Sequence, residues 1–351
     1  MISHTVETSR LRMRYTESGP ADGAPVVLIH GNLSTGRFFE HVMQAAPESY
    51  RMIAPDMRGF GDTERKPIDA TRGIRDWSDD SRALVKALGI DRPVHLCGWS
   101  TGGAAVAHYL VDHPDEVASV TFIDPVSPYG FGGVKRDGTP CFPDYAGSGG
   151  GTGSPEFEQR IRDGDRSTDS PFSPRNVINS SYWRSGHTEP REREDMLLDE
   201  VLKSETGLDG YPGDMNPSEN WPGIAPGTRG ILNALSPKYC NWSDIVDVDR
   251  KAPLLWTHGS ADIVVADGSA WEMGTLGQMG AVPGWPGVEV FPPQPMVSQI
   301  RDVLEEYERR GGRVRVEFFE GSGHGPIFDA ADRWAEVFWE HVRASDAVAA
   351  S

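Results

Sequence analysis

The stretch "LCGWSTGG", residues 96–103, sets one serine between glycines where an apolar run stops and a helical run begins. Glycine is wanted at a sharp strand-to-helix turn whether or not chemistry happens there, so Ser100 reads either as a nucleophile or as a turn hydroxyl. The flanks decide the fold. "PVHLCG" (93–98) is a nearly continuous apolar run, and "TGGAAVAHYLVDHP" has helical character until Pro114 stops it. Three more runs of the first kind, "PVVLIH" (25–30), "YRMIAP" (50–55) and "VASVTFID" (117–124), have the texture of strands buried on both faces. Between them, "DWSDDSRALVKALGI" places Leu84, Val85 and Leu88 at helical spacing. Strands alternating with helices predict an α/β fold, a mostly parallel sheet covered on both faces. The alternating "HTVET" and "LRMRYTE" near the start predict an antiparallel edge hairpin.

After Asp124 the rhythm lapses into a region rich in Gly, Pro, Trp and Ser that reaches about residue 250. Within it, "GSGGGTGSP" (147–155) lacks phosphate-cradling residues and reads as a flexible hinge or disordered tip. Two helices are still expected there. "SPEFEQRIRDG" has Ser154 as cap and Pro155 at its first position, and "EPREREDMLLDEVLKSE" spaces Leu197 and Val201 four apart. The rhythm resumes with "APLLWTHGSAD" (252–262), the amphipathic "MVSQIRDVLEEYERRGG" (296–312), the strand "RVRVEFFEG" and a closing helix on which Trp334, Val337, Phe338 and His341 recur. The organisation expected is a core formed by residues 1–126 and 251–351, with a cap or lid, 127–250, inserted between its halves. A further loop insertion is expected at about 268–295.

The bulk numbers narrow the function. With 34 basic and 52 acidic residues the formal net charge is −18, which opposes nucleic-acid phosphates and anionic membranes and favours a small-molecule partner. The three cysteines, Cys97, Cys141 and Cys240, have no ligand-like spacing, so neither a disulfide framework nor a metal site is indicated. No cofactor is expected. The first residues lack the apolar core of a secretory signal, and no run reaches the roughly eighteen apolar residues of a membrane span, so a cytoplasmic, soluble chain is expected. A homo-oligomer is compatible with all of this.

A serine hydroxyl is a weak nucleophile until a base takes its proton, so a catalytic serine needs a histidine, an acid to orient it, and donors for the developing oxyanion. The helix starting at Thr101 offers one such donor in its backbone N–H. At this point the chain resembles the α/β-hydrolase family. "GWSTGG" is similar to its nucleophile elbow, "VVLIHGN" (26–32) to its oxyanion strand and loop, and "APDMRGFGDT" (54–63) to its D-x-R-G-x-G-x-S segment, with Thr63 in place of serine. The resemblance covers residues 1 to about 126 and 250 to 345. It implies an esterase- or lipase-like serine nucleophile at Ser100, a second oxyanion donor at the backbone N–H of Asn32, and an acid then a histidine downstream. His324, in "EGSGHGP", lies between the last strand and the last helix, where the family's base sits. Asp262, in "WTHGSADIVV", has the place of the usual acid. Asp124 ends "VTFID", the position some members use instead, and Asp267 ranks third.

A serine at the elbow disfavours the family's epoxide and haloalkane chemistry, which needs an aspartate there to form an alkyl ester. Acyl transfer remains. The expected reaction is hydrolysis of a carboxylic ester or lactone of a bulky, largely apolar small molecule through an acyl-enzyme. The alternatives are a carbon–carbon bond hydrolase of a diketone, a cofactor-free haloperoxidase or perhydrolase, and a ligand-binding protein that keeps the fold without turnover. Aromatic residues of the middle region (Tyr129, Phe131, Tyr145, Tyr182, Trp183, Trp221) either line a roomy pocket or pack the cap onto the core. Trp99, Tyr129, Trp183 and Trp271 are the candidates for substrate contact, and Met273, Leu276 and Met279 of the second insertion are further candidates for its wall.

Overall fold

The computed structural model describes residues 1–349. Its centre is an eight-stranded sheet: β1 (Ile2–Glu7), β2 (Arg12–Ser18), β3 (Ala24–Ile29), β4 (Tyr50–Pro55), β5 (Val94–Trp99), β6 (Val117–Ile123), β7 (Leu254–Gly259) and β8 (Val314–Phe319). Their spatial order is β1-β2-β4-β3-β5-β6-β7-β8. β2 runs antiparallel to both its neighbours and every other pairing is parallel. The expected edge hairpin is thus present as β1 and β2. β5 is buried along its whole length because neighbours and helices cover it on every side. Around the sheet lie α1 (Arg75–Ala87), α2 (Thr101–Asp112), α7 (Met296–Arg309) and the closing α8 (Ala331–Ala349).

β3 feeds β4 on one side and β5 pairs with β3 on the other, so strand order reverses between β3 and β5. At such a switch point the loops after the two strands diverge and leave a crevice at the carboxyl end of the sheet. The β3 loop carries Asn32 and the β5 turn carries Ser100.

The segment between β6 and β7 contributes α3 (Pro155–Arg162), α4 (Pro174–Ser181) and α5 (Arg191–Leu202), followed by two short two-stranded pairings. Ser154 caps α3 by accepting the Phe157 N–H, as its sequence suggests. α4 is a third helix beyond the two expected; Pro174 at its first turn marks its start, and it buries Val177, Ile178 and Ser181. The glycine-rich stretch 147–155 is a correction to the expected flexible tip. Ser148 and Gly150 are buried, and the Gly150 N–H donates to Asn233 Oδ1 at 2.8 Å. A Cβ on Gly149 would stand 2.4 Å from that same amide oxygen, so glycine is there for close packing.

The second insertion is ordered too. It carries the short helix α6 (Met273–Gln278), capped by the buried Glu272. Its end is anchored by Gln294, whose Oε1 accepts the Gly132 N–H at 2.6 Å and whose Nε2 donates to Gly130 O and Gln299 Oε1. Among the described residues no helix is long and apolar enough to cross a membrane.

Burial pushes His30, His41 and His108 down to about 3 and His341 to about 4. A histidine with a depressed folded pKa contributes stability that is complete above its unfolded value near 6.5 and is lost as pH falls toward the folded value. His108, on α2, has no hydrogen-bond partner on either ring nitrogen. Replacing it with leucine should therefore flatten the acid limb of stability. Between pH 7 and pH 5, His108→Leu is expected to lose about 2 kcal/mol less unfolding free energy than the wild type, measured by urea denaturation.

Candidate active site

Ser100 occupies the one-residue turn between β5 and α2 with φ 54° and ψ −114°, a region an L-residue enters only under constraint. Its backbone is held from both sides. The Ser100 N–H donates to Ile123 O at 2.9 Å, and its carbonyl accepts from Gly103 N at 2.9 Å and Val126 N at 3.1 Å. Gly98 and Gly102 are required by contact: a Cβ on Gly98 would lie 2.2 Å from Gly102 O, and one on Gly102 would lie 2.2 Å from Ile29 O. The serine is presented to a cavity of about 490 Å³ while remaining 8% exposed.

His324 lines the same cavity from the loop after β8. Its Nδ1 lies 2.8 Å from Asp262 Oδ2, which leaves Nε2 as the nitrogen available to a serine. Asp262 is itself oriented, since its Oδ1 accepts the N–H groups of Val264 at 2.7 Å and Val265 at 3.2 Å. Asp124, weighed as the other acid, has a different partner: its Oδ1 accepts the Gly259 N–H at 2.8 Å. Asp267 is occupied in holding the Ser298 N–H and hydroxyl. The hydrogen bond to the histidine is thus made by Asp262.

The oxyanion side follows from peptide geometry. The Gly31 carbonyl accepts from His30 Nδ1 at 2.7 Å and from the Ser34 hydroxyl at 2.8 Å, both fully buried. His30 Nε2 accepts the Met57 N–H, so its proton sits on Nδ1. Because the peptide is planar and trans, the Asn32 N–H of that unit points away from His30 and Ser34. Asn32 and Thr101 both line the cavity, and Thr101, as first residue of α2, has an N–H with no intrahelical acceptor. The Tyr182 hydroxyl ties the loop down further by donating to Leu33 O at 2.9 Å and Asn32 O at 3.3 Å.

The four candidate contact aromatics divide. Trp99 lines the cavity and also donates its Nε1–H to the His324 carbonyl at 2.7 Å. Trp271 lines it and is 38% exposed at the rim. Tyr129 and Trp183 are corrections. Tyr129 packs over Gly138 with its ring 2.5 Å from where a Cβ would be, and Trp183 is buried against Phe328 at 5.7 Å between ring centres; neither lines the cavity. Of the second insertion, Leu276 joins Trp271 in the wall, whereas Met273 does not line it and Met279 is 72% exposed. The opposite wall comes from residues 149–182, including Phe157, Phe172 and Tyr182. Among the described lining residues, none is Asp, Glu, Lys or Arg.

Sequence reading missed Asp329. Its Oδ2 accepts the Gly323 N–H at 2.9 Å and the Arg184 N–H at 2.7 Å, and the Ser322 hydroxyl donates to Oδ1. One carboxylate thus holds the histidine loop to the segment between β6 and β7. An acid five residues after His324 was the available signal, but only folding shows what it binds.

Residues 24–146 match the family model described as alpha/beta hydrolase fold. A soluble epoxide hydrolase from Corynebacterium sp. (strain C12) is 32% identical over 121 residues, covering 34% of this chain and 41% of that protein. Lipase 1 of Psychrobacter immobilis is 32% identical over 113 residues, covering 32% and 35%. The chain therefore matches about two fifths of the length of these curated relatives. The crystal structure of an esterase from Rhodococcus sp. ECU1013 superposes with a TM-score of 0.59 at 17% identity, over 98% of this chain and 99% of that one. The chain has the α/β-hydrolase fold.

Asp329→Ala strands three donors around the histidine loop. It is expected to lower thermal stability by roughly 2–3 kcal/mol and to reduce labelling of Ser100 by a fluorophosphonate, measured by denaturant melts and by mass spectrometry.

Proposed function

We propose that this chain is a serine hydrolase of a carboxylic ester or lactone whose two parts are bulky, largely apolar and uncharged. The observation that carries the reading is the joint one: Ser100, strained at a strand-to-helix turn, shares a cavity with His324, whose Nδ1 is bonded to Asp262 at 2.8 Å. In the proposed mechanism Ser100 Oγ attacks the carbonyl carbon as His324 Nε2 accepts its proton. Asp262 keeps the Nδ1–H tautomer and stabilises the imidazolium. The N–H groups of Asn32 and Thr101 receive the oxyanion, and the dipole of α2 adds to their effect. His324 then protonates the leaving alkoxide, and water, activated by the same imidazole, releases the acid. A serine cannot serve as the carboxylate that forms an alkyl ester, so the likeness to an epoxide hydrolase is read as one of scaffold.

The segment 127–250 acts as a cap in this reading, and the 268–295 insertion as the facing wall. Their apolar side chains and the lack of charged lining groups favour a neutral substrate, because a buried carboxylate would find no cation.

A fluorophosphonate probe is expected to label Ser100. Ser100→Ala should lose labelling and about four to six orders of magnitude in ester turnover. Persistent turnover in that variant would sink the mechanism. Asp262→Asn should lower turnover far more than Asp124→Asn; the opposite ranking would transfer the acid's role to β6. For selectivity, p-nitrophenyl hexanoate should exceed its ω-carboxylate analogue in kcat/KM by roughly a hundredfold. Equal rates would remove the neutral-substrate reading.

A further inference from the structure

Behind Asp262 lies a second buried acid–histidine pair that the mechanism above does not use. Asp124 directly follows β6 with φ 41°, and His258 lies near the end of β7, next to Gly259. Both are buried, and the His258 ring is held between Trp256 and Phe318, each 5.6 Å away between ring centres. His258 faces one carboxylate with each nitrogen: Nδ1 is 3.5 Å from Asp124 Oδ1, and Nε2 is 3.8 Å from Asp262 Oδ2.

The protonation pattern follows from the partners. His258 Nε2 lies 3.1 Å from the Val265 carbonyl, which can only accept, so that nitrogen carries a hydrogen. On the other side, Nδ1 and Asp124 Oδ2 have no hydrogen-bond partner. A fully buried carboxylate with an unpartnered oxygen beside a second carboxylate is electrostatically prohibitive unless the group holds a proton. Burial and the neighbouring Asp262 push the Asp124 carboxyl well above the usual range, and burial pushes His258 down. The proton therefore belongs on Asp124, between the Asp262 carboxylate, with which its side chain hydrogen-bonds, and the bare Nδ1 of His258. One ligand atom from each of Asp124, His258 and Asp262 lies within 4.8 Å of the other two. The remaining charged or titratable groups acting on the pair are Asp267, Asp329 and His324.

We infer that Asp124 carries a proton beside His258 and that the two serve as positioning residues for Asp262, so that Asp262 is the single ionised carboxylate behind His324. The inference rests on the triad reading of Ser100, His324 and Asp262. Its chemical sense is that a second negative charge at Asp124 would favour proton uptake by Asp262, which must stay ionised while His324 is an imidazolium. The imidazole of His258 also backs Asp262 Oδ2 and, through its Nε2–H, holds the Val265 carbonyl of the strand-end loop that donates to Oδ1.

The test uses the full chain with p-nitrophenyl butyrate, in parallel with fluorophosphonate labelling. Asp124→Val and His258→Gln are expected to lower kcat by about 10- to 100-fold with KM changed less than about twofold. Both should displace the acid limb of the kcat/KM profile by more than about half a pH unit. Asp124→Asn, whose amide can donate to His258 Nδ1, should recover at least about tenfold of the Asp124→Val loss. An unlabelled wild type overturns the triad reading and this one together. A labelled, active wild type whose variants keep its kcat and acid limb overturns this inference alone, as does Asp124→Asn falling as far as Asp124→Val. If Asp124→Val does not fold, His258→Gln and Asp124→Asn decide the matter: the inference requires His258→Gln to fall at least about tenfold below Asp124→Asn in kcat.

Discussion

The structure depends on the turn between β5 and α2. Ser100 is held at a positive φ by three backbone hydrogen bonds that join it to Ile123, Gly103 and Val126. Strain of this kind persists only where surrounding structure over-determines it. Here the over-determination comes from the sheet itself, because β5 is buried between β3 and β6, and from the close approach of α2 to the Ile29 carbonyl that Gly102 permits. The same closeness brings the β3 loop and its Gly31–Asn32 peptide beside the serine, since a Cβ on Gly31 would lie 3.2 Å from that of Ser100. Geometry at one residue thus arranges both the proposed nucleophile and its proposed oxyanion donors.

The cavity is walled by two segments that lack the rhythm of the core, and polar groups fasten them beside apolar side chains such as Phe157, Ile178, Leu197 and Leu235 that join the core. Gln294 joins the second insertion to Gly130 and Gly132; Asn233 holds Gly150; Glu200, buried on α5, accepts from Thr35 and pairs with Arg37 of the core. Asp329 joins the histidine loop to Arg184. Gln294, Asn233 and Glu200 are buried and Asp329 is partly so, each with its partners satisfied, which specifies one arrangement of loops where packing alone would tolerate several. The interior nevertheless admits little charge near the chemistry. His30 stays neutral beneath the oxyanion loop, and the cavity wall is without ionised side chains apart from any charge His324 takes up.

Periodicity made the core legible. The strand runs at 25–30, 50–55, 93–98 and 117–124 correspond to β3, β4, β5 and β6 within a residue or two, because strands covered on both faces must be apolar throughout. Local motifs likewise marked Ser100, Asp262 and His324, since a tight turn, a strand-end acid and a loop histidine each leave a short-range signature. The segment between β6 and β7 resisted this reading. Its glycine-rich stretch is well packed because distant residues, Asn233 and Pro226, close upon it.

What the sequence by itself determined was the order of chemistry-bearing residues along a doubly covered sheet, because that information is local: side-chain type, period and turn composition. Only the tertiary structure shows that Asp262 rather than Asp124, each of which follows a strand, is hydrogen-bonded to His324, because that depends on where His324 Nδ1 lies in space. It likewise separated Trp99 and Trp271, at the cavity, from Tyr129 and Trp183, in the packing. Aromatic side chains carry the same sequence signal whether they meet a ligand or one another, and only the approach of distant segments separates the two.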